Sequence, residues 1–349
     1  MPMIVDVKLD YQAAGDGIND DTQAIQAAID QVAEGGTVLI PPGVYRLTKN
    51  MKNKQVTGYG TSYSALKISR PVTILMEGAV FETETSHSYG VFWIYQASEV
   101  HLKGGSLKGD VLPADGIWSS RIGVLIQNSH HCSIEDMETF NYSQGINIYN
   151  SEYCTVRSFK TSYNMGSGII CFGSKYSLID SCTISSCGDG HLSLFGGGQH
   201  NTVVNCFVSE DRPGYSSEQG ITLERERNSL IKNNTVNGFY YGIDIKNGSD
   251  SCTIESNRTY NNQNNIAIRP GDGGGNGQAA SNNISLKKNV TTNPRGVSPN
   301  ASILIKAGTG HTLIENTINK NKLVLTGGIL LNSNIITNQY KLIANTFID

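Results

Sequence analysis

A Gly-apolar-x-apolar tetrad returns about every 22 residues in this chain and constrains its fold more than any other feature. The copies are Gly123-Val-Leu-Ile, Gly145-Ile-Asn-Ile, Gly168-Ile-Ile-Cys, Gly190-His-Leu-Ser, Gly220-Ile-Thr-Leu and Gly242-Ile-Asp-Ile, at intervals of 22, 23, 22, 30 and 22 residues. A second half follows each copy: an aliphatic (Ile134, Val156, Ile179, Val203, Ile231, Ile254, Leu286, Leu313, Leu342), then, three residues on, a turn column of Met137, Phe159, Cys182, Cys206, Asn234, Asn257, Asn289, Asn316 and Asn345. Alternation within each short run indicates strands. Two or three short strands per copy cannot close a globular layer, but they make one coil of a parallel β-helix, each coil burying its neighbour's apolar face. Coils stack at strand spacing, about 4.8 Å, so residues far apart in sequence form outward columns. Asparagines stacked at a turn would bond backbone groups and each other along the axis.

Composition agrees with a turn-rich all-β solenoid: 38 glycines in 349 residues and only 16% charged residues. The repeat runs through most of the length, so a single domain is expected over 1–349, with a cap and first strands at about 9–47 and stacked coils from about 70 onward. The net charge of -3 argues against a general nucleic-acid binder. The longest apolar runs fall short of the 18 residues a membrane-spanning helix needs. The seven cysteines lie mostly on repeat columns (Cys132, Cys154 and Cys252 in one, Cys182 and Cys206 in another), which suits stacked reduced core thiols. They have no CxxC or other metal spacing, so no metal site is expected.

The opening differs from the repeat. Residues 14–30 read as a Gly-rich loop and a short helix, with Asp20 or Asp21 as N-cap and Ile25, Ala28, Ile29 and Val32 as its apolar stripe. Gly35-Gly-Thr-Val-Leu-Ile-Pro-Pro-Gly-Val-Tyr then gives strand, turn and strand. Such a helix would cover the first coil's open edges and core. The string Gly15-Asp-Gly-x-x-Asp-Asp-Thr-x-Ala-Ile-Gln-Ala-Ala-Ile, with the Pro-Pro-Gly strand pair after it, resembles the opening of the pectate-lyase-superfamily β-helix proteins. These include phage tailspike depolymerases, polygalacturonase-type hydrolases and alginate epimerases. The resemblance implies a right-handed parallel β-helix with an N-terminal capping helix. It does not fix the reaction: Asn-Thr-Asp, Asp-Asp, Gly-His-Gly and Arg-Ile-Lys of polygalacturonases are absent as a set, as is Asp-Pro-His of the epimerases.

Within each tetrad strand the first and third residues after Gly point inward and the second and fourth outward. The fourth column reads Gln127, Tyr149, Phe172, Leu194, Glu224, Lys246, Arg269, Lys306; the second reads Leu125, Asn147, Ile170, Leu192, Thr222, Asp244, Ala267, Leu304. The apolar early part suggests a subunit interface, a covering loop or a sugar wall. In polygalacturonase-type enzymes the catalytic acids sit at the strand entry, just before the Gly. Here Asp189 stands just before Gly190, and Glu218 stands beside Gln219, which precedes Gly220 on the neighbouring coil, with the insertion Ser209–Glu218 between them. Glycosidic hydrolysis needs two carboxyls, about 5–5.5 Å apart for retention or 6.5–9.5 Å for inversion. Asp189 with Glu218 is the first candidate pair and Glu224 with Asp244, expected about 8 Å apart, the second. Tyr215 and Tyr241 would stack on sugar rings. Lys246, Arg269 and Lys306 would pair with uronate carboxylates. His191 falls on an inward position, which suits a core histidine; a distorted strand entry would turn it toward Asp189 and substrate.

The expected function is therefore a polysaccharide depolymerase acting on a bacterial surface or extracellular glycan by carboxylate acid/base hydrolysis. The alternatives are a lyase β-eliminating a uronate polymer and a non-catalytic adhesin or tail component. No cofactor is expected, with calcium only for a lyase. The resemblance to tailspikes implies a homo-oligomer, a trimer in preference, and an extracellular or virion setting; a signal peptide is not visible. The last residues, Lys341–Asp349, remain in repeat register, so a partner subunit or further chain is expected to cover that coil.

Overall fold

The computed structural model describes residues 3–58, 60–83, 89–111, 121–212, 217–271, 279–295, 301–319, 329–331 and 340–348. The contacts fall into two compact units, Met1–Ile170 and Cys171–Asp349. Each coil of a solenoid touches chiefly the coils beside it, so a uniform repeat does not by itself gather its contacts into one cluster.

Both units are built from the same coil. In the first, Val72–Leu75, Val100–Lys103, Ser133–Glu135 and Thr155–Arg157 pair in that order in one sheet. Ala79–Thr83, Ser106–Lys108, Glu138–Phe140 and Lys160–Ser162 form a second. The Gly-led strands Tyr89–Tyr95, Ile122–Gln127 and Gln144–Tyr149 form a third. In the second unit the Gly-led sheet runs Leu192–Phe195, Gln219–Glu224, Tyr241–Lys246, Asn264–Arg269, Ala301–Ile305 and Ile329–Leu331. All these pairs are parallel, the arrangement of a β-helix. The exception is Asn50–Thr57, which turns back antiparallel on Gly60–Ile68.

The aliphatic column stacks in register: Leu102, Ile134 and Val156 oppose one another in the first unit, and Val203, Ile231, Ile254, Leu286 and Leu313 in the second. All are fully buried, each side chain worth about 1.5–3 kcal/mol of burial. The turn column closes as the asparagine spacing implies. Asn257 Oδ1 accepts from the Asn234 N–H (2.9 Å) and from Asn234 Nδ2 (3.0 Å), while Asn257 Nδ2 donates to Ile231 O (2.8 Å) and Asn289 Oδ1 (3.1 Å). Asn289, Asn316 and Asn345 repeat the pattern. The residue before each column member, from Asp136, Ser158 and Ser181 to Asn205, Asn233, Ser256, Lys288 and Glu315, is left-handed, which explains the polar, turn-prone composition. The seven cysteines are buried thiols.

The opening helix spans Thr22–Gln31 and buries Thr22, Ile25, Ala28 and Ile29. Gln26 fixes it to the strand Gly60–Ile68, donating to Lys67 O (2.9 Å) and accepting from the Lys67 N–H (2.8 Å). Its N-cap residue is Asp21, whose carboxylate is turned away from the helix to accept from the Ala14 and Gly15 amides (2.6 and 3.0 Å). Asp20 instead takes the Thr22 amide, at 3.0 Å.

Candidate active site

The outer face of the Gly-led sheet in the second unit follows the two-in, two-out rule of the tetrads. Ile221, Leu223, Ile243 and Ile245 are fully buried core residues. Thr222 stands opposite Asp244, which stands opposite Ala267; Glu224 stands opposite Lys246, which stands opposite Arg269. The residue before the Gly also faces outward: Thr222 Oγ1 reaches Gln219 Oε1 (3.5 Å), and Tyr241 packs with Ala267 and Leu304.

One coil departs from the expected register. Leu192 pairs with Ile221 and Ser193 with Thr222, so His191, not Gly190, occupies the glycine slot. Leu192 and Leu194 consequently point into the core and are fully buried, rather than lying on the outer columns. Gly190 had marked the tetrad, but the alternation His191-Leu-Ser-Leu fits the sheet only when advanced by one residue. Extended back to the strand entries, this register sets Gly190 at the level of Gln219 and Asp189 at the level of Glu218. The His191 N–H donates to Gln219 O (3.1 Å) and Ser217 Oγ to Asp189 O (3.0 Å), which fixes the juxtaposition.

The slot also decides His191. Its ring is wholly buried, edge-on to Phe239 at 4.6 Å. Nδ1 donates to Asp189 O (3.0 Å) and Nε2 accepts from the Cys187 N–H (3.0 Å). Burial pushes its pKa down to about 3, so the imidazole is neutral and offers no face to a bound sugar. The expectation that it contacts substrate is corrected on this ground.

The second carboxylate pair is held in a buried charge network. Arg269 donates to both Asp244 oxygens, from Nε at 2.8 Å and Nη2 at 2.7 Å, and lies 4.2 Å over the Tyr241 ring. Lys246 Nζ stands 3.9 Å from Glu224 and 4.0 Å from Asp244. Asn247 Nδ2 donates to Glu224 Oε1 (2.7 Å). Asp244 is fully buried, and Glu224, Lys246, Arg269 and Tyr241 are nearly so. An ammonium therefore lies against both carboxylates expected to act as acid and base. Lys246 and Arg269 are committed to acidic partners, so neither is an open docking point for a uronate, and Tyr241 spends a face on Arg269.

Glu218 is different. Its side chain is 52% exposed, and its carboxylate lies 3.7 Å from Arg269 Nη2. Asp189 is half-buried and Lys306 exposed. Tyr215 lies outside the described residues. Among the described residues no group of three or more His, Cys, Asp or Glu side chains is arranged to hold a metal ion.

The apolar outer strip of the first unit does not stand open as an interface would. Leu125 is fully buried and Trp93 nearly so, with Trp93 Nε1 donating to Gln127 Oε1 (3.0 Å) and Gln127 Nε2 to Val56 O (2.9 Å). The strand Asn50–Thr57 thus reaches over this face.

Residues 114–259 match a right-handed β-helix family model, and residues 4–101 match a model of rhamnogalacturonase A/epimerase, pectate lyase-like proteins. With the three-sheet coil, these matches support a right-handed β-helix fold, the second of them over the opening residues alone. The preneck appendage protein of Bacillus phage PZA is 26% identical over 319 residues, covering 84% of this chain and 34% of the phage protein. The chain thus spans about a third of that relative's length. Among solved structures, the A-module of the mannuronan C-5 epimerase AlgE4 from Azotobacter vinelandii superposes with a TM-score of 0.75 at 18% identity, covering 99% of this chain and 95% of that one. An exopolygalacturonase from Thermotoga maritima gives 0.62 at 14% identity, covering 95% and 92%. At these identities the likeness is one of fold.

Three participants escaped sequence reasoning. Glu210 and Arg212 were read only as insertion, and Glu226 lies in a column of serines (Ser129 and Ser151 in the first unit, Ser174 and Ser249 in the second) whose repeat is too short to stand out.

Proposed function

We propose that the chain is a polysaccharide depolymerase that hydrolyses glycosidic bonds of a bacterial surface or extracellular glycan, with Asp189 and Glu218 as its carboxyl pair. What supports this most is the hydrogen bond from Ser217 Oγ to Asp189 O, which ties together the two segments that carry the carboxyls, with the accessible Glu218 beside a guanidinium that Asp244 and Tyr241 hold in place. A fixed cation suits a carboxylate that works charged, so Glu218 is assigned the attack on the anomeric carbon and Asp189 the proton given to the leaving oxygen. Water then displaces Glu218 from the glycosyl ester, giving its proton to Asp189. Neighbouring coils are about 4.8 Å apart, nearer the roughly 5–5.5 Å of retaining enzymes than the 6.5–9.5 Å of inverting ones. Asp244 holds Arg269 by ion pairing, and Glu224 and Lys246 complete the buried charge network around Asp244. Lys306 is exposed and would meet an acidic sugar from solvent.

The likeness to a phage appendage supports a virion or extracellular setting and a homo-oligomer, a trimer in preference. In that setting the helix Thr22–Gln31 serves as a cap over the first coil. A second reading, a non-catalytic glycan-binding tail component, is favoured by the same likeness and by the burial of Glu224 and Asp244. Incubation with a panel of bacterial exopolysaccharides separates the readings. Hydrolysis yields new reducing ends without an ultraviolet-absorbing unsaturated product. Unsaturated ends would establish a lyase, and binding without either product a tail component.

A further inference from the structure

The insertion that delivers Glu218 leaves the repeat at Ser209 and returns at Ser217, and both of its ends are tied to the turn that carries Asp189. At the outgoing end, Glu210 has a fully buried side chain that accepts from Arg212 Nε (2.9 Å), Arg212 Nη2 (2.5 Å) and the Arg212 N–H (3.0 Å). Arg212 Nη2 also donates to Cys187 O (2.6 Å). His191 Nε2 lies 3.7 Å from Glu210 Oε2 while accepting the Cys187 N–H. At the returning end, Ser217 Oγ donates to Asp189 O, the carbonyl that His191 Nδ1 also holds. The Tyr241 N–H binds Glu218 O (2.8 Å) and sets the next residue.

We propose that Glu210, Arg212, His191 and Ser217 form a positioning clasp that fixes the backbone of Asp189 and Glu218 relative to each other. None of the four reaches substrate; each acts through the turn 187–189 or the strand entry 217–218. The proposal rests on the hydrolase reading for its consequence in catalysis, but the clasp itself is a statement about two chain segments. A buried bidentate Arg–carboxylate pair is directional, and a misplacement of the order of 1 Å at reacting groups costs about 10²-fold in rate. A pair that merely added stability would have no such local signature.

The test uses Arg212→Ala, which leaves Glu210 without its cation, and Ser217→Ala, which removes one of two donors to Asp189 O and keeps the test available should the first variant fail to fold. Backbone amide exchange is followed by mass spectrometry, alongside kcat and KM on a glycan the native protein cleaves. The expected result is at least tenfold faster exchange in 187–191 and 217–219, unchanged exchange in Leu230–Lys232, and a kcat at least tenfold lower with KM within twofold. Unchanged exchange in those two segments, a loss of protection spread evenly over the chain, or native kcat in a variant with loosened segments would each overturn the proposal. A native protein that cleaves no glycan would sink the hydrolase reading alone, and the exchange pattern would still decide the clasp.

Discussion

Glu226 should make this β-helix less stable as the pH rises from about 4.5 toward neutrality. Its carboxyl is buried in the column where Ser174 and Ser249 stand on other coils; Oε1 accepts from Asn201 Nδ2 (2.7 Å) and Ser229 Oγ (2.6 Å). Oε2 has no hydrogen-bond partner. Burial raises its pKa from 4.5 to about 7, against the lowering effect of those two bonds. A carboxyl raised on folding favours the fold while it is protonated, so its full contribution is present below 4.5. The contribution is lost progressively between 4.5 and about 7 and absent above. At 1.36 kcal/mol per pH unit the swing is about 3 kcal/mol. Replacing Glu226 by Gln keeps the shape and one acceptor and removes the titration. Urea unfolding of both proteins from pH 4.5 to 8 isolates the effect, because every other carboxylate is shared and cancels in the difference. The stability of Glu226→Gln relative to the native chain should climb by about 3 kcal/mol across that range, with most of the change between pH 5 and 7. A difference that stays flat, or falls with pH, would refute the reading of Glu226 as a buried, incompletely satisfied acid.

Other outcomes follow from the same coordinates. Gly198→Ala would put a methyl 2.6 Å from Ser174 O and 2.7 Å from Glu226 Oε2, and should cost about 1–3 kcal/mol in a thermal or urea unfolding experiment. Asn257→Ala breaks the ladder in both directions and should cost about 2–4 kcal/mol by the same measurement, because it strands buried amide groups at two coils. Cleavage should proceed with net retention, visible as the starting anomer in the first proton spectra of the product; the opposite anomer would exclude Glu218 as nucleophile. Prolonged treatment with a chelator should leave turnover unchanged, since neither carboxyl step uses a metal ion, and a loss restored by calcium would point to the lyase alternative.

The coil was legible because its signals are local and repeated. An alternating tetrad, an aliphatic and a turn residue recur until chance is excluded, and the asparagine ladder follows from spacing alone. The Gly190 coil shows the limit. Glycine marks the tetrad elsewhere because an inward side chain there would strike core: at Gly220 an added Cβ would meet Val236 at 2.5 Å and Phe239 at 2.8 Å. Where a histidine with its own buried partners fills that slot, the marker moves one residue and the columns slip with it. Asp189 lies one residue before Gly190 and Glu218 two before Gly220, an offset that the one-residue shift of the Gly190 coil removes. The burial of Asp244 and Glu224 was not legible, since columns give neighbours and not which ammonium settles between which carboxylates. Glu210 and Arg212 escaped for a related reason. Insertions carry no repeat against which an inward-turning charge stands out.

The proposed cleavage of a glycan needs both Asp189 and Glu218. It is tested most directly by the initial rates of reducing-end release by the native protein, Asp189→Asn and Glu218→Gln, measured side by side with thermal melts of all three. Each variant should melt with the native protein and lose at least about 10²-fold in rate. Native rates in both folded variants would contradict it.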